Sequence, residues 1–114
     1  MKKKIVHTRD LQIRIKDSRK IYKFRIASDT RLKELANEMC RRLGFDPYST
    51  EWAFYLPIPG DYEAPINSTL RMLEMSYNRT FEYIIAHCTN VDIFHNEIED
   101  ITDRIRPFNY EKQS

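Results

Sequence analysis

His87, Cys88 and His95 are residue types that ligate zinc, and Cys88 beside a histidine is the pairing a thiol nucleophile requires. Neither chemistry fits the spacing. His87 and Cys88 are adjacent at the end of a strand-like run, so their side chains point to opposite faces, and no fourth ligand is evident. Cys40 falls on the apolar stripe of a helix pattern and faces a core, and neither histidine has an acid placed to orient it. No metal, no cofactor and no catalytic residue is expected. A chain without a convergent titratable cluster or a cofactor motif is expected not to be an enzyme.

Positive charge is what the sequence does concentrate. The 114 residues carry a net charge of +2, yet residues 1–25 hold ten Lys or Arg against only Asp10 and Asp17. Residues 26–85 hold six basic against nine acidic, and residues 86–114 three against six, so the surplus is N-terminal. Within that stretch Leu11, Ile13 and Ile15 alternate with Gln12, Arg14 and Lys16, and Tyr22, Phe24 and Ile26 alternate with Lys23 and Arg25. A period of two is the mark of strands with one buried face, and the intervening KDSRK supplies a turn. The pair reads as a β-hairpin whose exposed face carries Arg14, Lys16, Lys23 and Arg25, with Arg19 and Lys20 at or near the turn.

Behind the hairpin, Leu32, Leu35, Ala36, Met39, Cys40 and Leu43 form one stripe at helical spacing, with charged residues away from it. Ser28, Asp29 or Thr30 can cap its start, and Gly44 sits where a left-handed C-cap is wanted. WAFYLP (52–57) reads as a short buried strand with Tyr55 partly exposed, 58–68 as a loop, Ser76–Arg79 as turn-like, and TFEYIIA (80–86) as a last strand. The order strand, strand, helix, strand, loop, strand predicts a sheet covered on one face, an α+β roll. In the tail Val91, Phe94, Ile98, Ile101 and Ile105 recur at spacings of three and four, and Thr89 with Asp92 resembles a capping box. That spacing predicts a second amphipathic helix. The chain divides on this reading into a basic segment at 1–10, a domain at 11–86 and a helical extension at 87–114.

No run is apolar and long enough to span a membrane, and the lysines after Met1 are not followed by the apolar core of a secretory signal. Two cysteines in such a chain are expected to be reduced thiols in the cytoplasm or nucleus. Lys2, Lys3 and Lys4 are compatible with contact to nucleic acid or anionic lipid. The hairpin, however, interleaves no exposed aromatic residue with its cations and no nucleic-acid motif is present, which places a protein partner ahead of nucleic acid.

SDT at 28–30, which follows a hairpin and opens a helix, is similar to the same stretch in ubiquitin. TLRMLEMSYNRTFEYII (69–85) resembles ubiquitin's penultimate region without a gap, with Thr69, Leu70 and Thr80 identical and apolar residues recurring at Met75, Phe81, Tyr83, Ile84 and Ile85. The resemblance covers roughly residues 11–86 and implies the ubiquitin-like β-grasp fold, a mixed sheet packed on one helix, here with an added C-terminal amphipathic helix. Glycine occurs only at 44 and 60, so conjugation through a terminal Gly-Gly is not expected. LGFDPYSTEWAFYL and the basic hairpin look more like the ubiquitin-like domains that bind Ras-family GTPases, or the first lobes of FERM-type modules. In the Ras-binding domains the second strand's edge pairs with an edge strand of the GTPase, and basic residues on that strand and on the helix meet acidic switch residues. The helix positions concerned fall near Glu38 and Arg41, one opposing and one matching.

The expected function is therefore recognition of a protein partner, a Ras-family small GTPase or another acidic protein, through Arg14, Lys16, Arg19, Lys20, Lys23, Arg25 and Arg41. The alternative is a structural or assembly subunit that docks or self-associates through the tail seam of Phe94, Ile98, Ile101 and Ile105.

Overall fold

The computed structural model of the chain describes residues 7–94. Its elements run β1 (Thr8–Ile15), β2 (Ile21–Ala27), α1 (Leu32–Leu43), β3 (Trp52–Tyr55), β4 (Glu63–Ala64), α2 (Leu70–Tyr77) and β5 (Tyr83–Cys88), followed by a 3-10 turn at Val91–Phe94. The strands form one five-stranded sheet in the order β2-β1-β5-β3-β4, with β1 and β5 parallel and the other pairs antiparallel. This is the α+β class that the pattern predicts, a mixed sheet whose order is compatible with the ubiquitin-like β-grasp that the resemblance implies.

Strand parity builds the core. Leu11, Ile13, Ile15, Tyr22, Phe24 and Ile26 are all buried, as are Trp52, Phe54, Ile84, Ala86 and Cys88 on the same side of the sheet. The stripe of α1, Leu32 through Leu43, closes over them in a single cluster. Each large side chain so placed contributes roughly 1.5–3 kcal/mol of burial. Between β1 and β2 the turn is closed by the Ile15 N–H donating to the Lys20 carbonyl at 3.0 Å, with Asp17 at φ 62 taking the left-handed position.

The start of α1 departs from the expected cap. Its N-cap is Arg31, and none of Ser28, Asp29 and Thr30 supplies the capping hydroxyl or carboxylate. Instead the first-turn N–H groups of Leu32 and Lys33 donate to the carbonyls of Ser68 and Ile66, at 2.9 and 2.8 Å. Orphan donors of a helix need some acceptor, and a loop distant in sequence provides it here. Gly44 does end the helix, at φ 76 with its N–H on the Cys40 carbonyl.

Two elements were not legible in the pattern. β4 has two residues, and α2 has eight, of which only Leu70 and Leu73 are buried while Met72 and Met75 face solvent. Thr69 caps α2 by accepting from the Met72 N–H at 3.1 Å, and Asn78 ends it at φ 51. β5 also starts at Tyr83, three residues later than read. Ahead of it the Glu74 carboxylate accepts the Phe81 N–H at 2.7 Å, and the Arg9 guanidinium bonds both Glu74 and the Phe81 carbonyl. Side chains thus take backbone groups that a longer ladder would have paired.

β1 begins at Thr8, and past residue 86 the chain continues in β5 and buries Ile93 completely. Thr89 does not cap a helix: its hydroxyl accepts the Glu51 N–H at 2.9 Å and its own N–H returns to the Glu51 carbonyl at 3.0 Å. Val91 and Phe94, expected in an apolar seam, are exposed, whereas Ile93 between them is buried. Ile98, Ile101, Ile105 and the rest of the expected tail helix lie outside the described residues, as do His95 and Lys2–Lys4. Among the described residues no helix is long and apolar enough to cross a membrane.

Phe24→Ala is expected to cost about 3–5 kcal/mol of unfolding free energy, and Lys23→Ala, one position along the same strand, to stay within about 0.5 kcal/mol of wild type. Urea unfolding monitored by circular dichroism measures both, and similar losses would contradict the assigned parity.

Candidate functional site

The face of the sheet turned away from α1 gathers most of the residues singled out by charge. Arg14 on β1, Lys16 just past its end, and Lys23 and Arg25 on β2 are exposed there. The register sets Lys23 opposite Gln12 and Arg25 opposite Asp10. The Arg25 Nε lies 3.1 Å from the Asp10 carboxylate, with both side chains more than half exposed, so the pair is worth well under about 1 kcal/mol. Arg19 is exposed in the turn and Lys20 is half-buried beside it, its N–H donating to the Ser18 hydroxyl at 3.1 Å. Lys16, Arg19, Lys20 and Lys23 form no ion pair with any described residue.

β2 is an edge. The hydrogen-bonded pairs His7 with Ser28 and Ile15 with Lys20 fix the phase of the antiparallel ladder. Alternation then turns the backbone groups of Tyr22, Phe24 and Ile26 toward β1 and those of Ile21, Lys23 and Arg25 outward. Among the described residues these outward donors and acceptors on Ile21, Lys23 and Arg25 meet no partner strand, and with the cationic side chains of Lys23 and Arg25 beside them they are a template for another extended chain.

Arg41 does not join this surface. It sits on the exposed side of α1, on the other side of the sheet, and its Nε is 3.1 Å from Glu38. The same carboxylate is 2.6 Å from the Arg42 Nε, so the acid expected to oppose a basic helix position is held by two arginines. Phe94, from the alternative interface, ends the 3-10 turn with its ring 43% exposed.

Sequence reasoning missed what β5 and β3 bring beside the hairpin. Gln12 and Arg14 are in register with Tyr83 and Ile85 on β5, and Tyr55 on β3 is opposite Ile85. The Arg14 guanidinium lies 3.7 Å above the Tyr83 ring, steadied by the Gln12 side-chain carbonyl at 3.2 Å, and the Lys16 ammonium lies 5.5 Å above the Tyr55 ring. Such contacts are worth about 0.5–1 kcal/mol at exposed sites. The signal was available in part, because Tyr83 and Ile85 alternate with the buried Ile84 and Ala86. The pairing of β1 with β5, distant in sequence, was not.

Thiol chemistry finds no site here. His87 is exposed on the outer face while Cys88 is buried on the inner, as strand parity requires, and among the described residues no group of three metal-ligating side chains converges. Burial pushes the Cys88 thiol above its ordinary value of 9.0, and the Asn90 N–H donated to its sulfur only partly offsets this. Cys40 accepts the Trp52 indole N–H at 3.2 Å. No protein-family model matches the chain, and no curated protein matches it.

A thiol with a raised pKa is protonated at neutral pH and costs stability only above the unfolded value, as pH rises past about 9. Because both cysteines are buried, at pH 8 each should react with a disulfide reagent far more slowly in the native protein than in urea. Equal rates would contradict their burial.

Proposed function

We propose that this domain is a non-enzymatic protein-interaction module that receives an extended acidic segment of a partner along the β2 edge. The observation that carries the reading is the edge itself: outward backbone groups on Ile21, Lys23 and Arg25, with the cationic side chains of Lys23 and Arg25 projecting from the same positions. Main-chain pairing supplies affinity and register, and the cations, with Arg19 and Lys20 at the turn, steer an acidic partner and raise its association rate. Ras-family small GTPases in their GTP-bound state are the partner class to which the resemblance to Ras-binding domains leads, and a FERM-type lobe is the related setting within a larger protein. Arg14, on the strand behind the edge, and Lys16, just past that strand's end, add to the field without reaching the added strand's backbone.

A second reading, docking through the C-terminal segment, draws on the exposure of Val91 and Phe94 at the end of the described residues. Ile98→Asp separates the two, since it changes a residue of the tail and none of β2.

Titration against a panel of GTP-loaded Ras-family proteins should give saturable binding with at least one, weakened more than tenfold by Lys23→Glu, Arg25→Glu and lowered as salt rises toward 0.5 M. Circular dichroism first establishes that the variant is folded. Absence of saturable binding across the panel removes the GTPase assignment, and equal affinity in the variant removes the edge.

A further inference from the structure

We propose that the outer sheet face over β1, β5 and β3 is a platform for single-stranded nucleic acid, separate from the β2 edge and independent of the partner assigned to it. Two tyrosine rings carry the inference. Tyr83 and Tyr55 stand half-buried on neighbouring strands, two residues apart in register, with Ile85 directly opposite Tyr55. Diagonal neighbours of this kind are roughly 7–8 Å apart. Tyr55 directly, and Tyr83 through the Arg14 guanidinium that lies over it, can each support one base of the same strand while Ile85 fills the floor between them.

The cations are set where a sugar-phosphate chain crossing these rings would run. The Arg14 guanidinium lies over Tyr83, and the Lys16 ammonium stands over Tyr55. A planar guanidinium is itself a stacking surface for a base, so in this proposal a base stacks on Arg14 above Tyr83 while Lys16 contributes a mobile charge for phosphate. Arg19 and Lys20 extend the positive surface beyond the hairpin end, and His87 is exposed on the same face of β5. Carboxylates border the platform: Asp10 is paired with Arg25, Glu82 lies with Asp10 and Lys23, Asp17 is exposed in the hairpin turn, and Glu63 on β4 is directly opposite Tyr55, where the Lys16 ammonium over that ring offsets its charge.

The absence of interleaved aromatics, which set nucleic acid behind a protein partner, holds for the hairpin alone. Folding supplies the rings from β3 and β5. Aromatic rings between cations on the central strands of an open sheet bind single strands with little base selectivity, because every base offers a π-face. A duplex cannot present unstacked bases to such rings.

Fluorescence anisotropy with labelled 12-nucleotide single strands of thymidine and of uridine, at low salt and with the full chain, tests this. Single strands should bind at least tenfold tighter than a duplex of equal length. Tyr83→Ser and Tyr55→Ser should each weaken binding roughly fivefold or more, from the 1–3 kcal/mol a stacked base is worth, while Tyr83→Phe preserves it. Arg14→Gln and Lys16→Gln, both at exposed positions that leave the core intact, should each reduce the slope of log affinity against log salt by about 0.7. Duplex bound as tightly as single strand, or ring replacements without effect, would overturn the platform and leave a nonspecific polycation. Poly-glutamate competing as well as the oligonucleotide would also overturn it, in favour of a surface for acidic protein.

Discussion

Strand β1 bonds on both sides at once, and the rest of the surface follows from that. Its odd-numbered residues exchange backbone hydrogen bonds with β2, while its even-numbered residues face β5, where the Gln12 and Lys16 N–H groups reach the carbonyls of Glu82 and Ala86 at 3.0 and 2.8 Å. Because β1 is consumed in this way, β2 has no second neighbour among the described residues and becomes an edge. Because β5 lies parallel to β1, Tyr83 comes under Arg14. A slip of β1 by one residue would turn its own cation inward and its own core residues outward, so the apolar set on Leu11, Ile13 and Ile15 holds that strand's charged face in place.

This arrangement separates stability from recognition. The core and the ties to it that cross the chain, Arg9 to Glu74 and Phe81, Thr89 to Glu51, and the carbonyls of Ile66 and Ser68 to the start of α1, involve none of the strand cations on the outer face. Those cations meet at most an exposed carboxylate or a ring, contacts of about a kilocalorie per mole or less. They can be exchanged at little cost to folding, which suits residues whose work is done on another molecule. The sulfur atoms belong to the other group: Cys40 holds the Trp52 indole and Cys88 is raised by burial.

What the sequence made legible was local. Alternation showed both hairpin strands and their exposed cations, helical spacing showed α1 down to its buried cysteine, and Gly44 marked its end. Elements whose cause lies elsewhere in the chain were not readable. α2 has only two buried residues to betray its period, β4 exists because Phe54 and Tyr55 pair with it, and α1 is capped by a loop more than thirty residues away rather than by Ser28, Asp29 or Thr30. Thr89 looked like a cap and is a tether to Glu51. The candidate surface divides in the same way. Its cations were placed by parity, Arg41 was drawn in by resemblance and stands apart on α1 with Glu38, and Tyr55 and Tyr83 joined only once the sheet order was known.

Native-state amide hydrogen exchange along β2, followed by NMR, tests the central claim most directly. The account predicts an alternating pattern, with the Tyr22, Phe24 and Ile26 amides strongly protected and the Ile21, Lys23 and Arg25 amides exchanging orders of magnitude faster. Uniform protection along the strand would mean that the edge is already covered, and would contradict its role as the surface open to a partner.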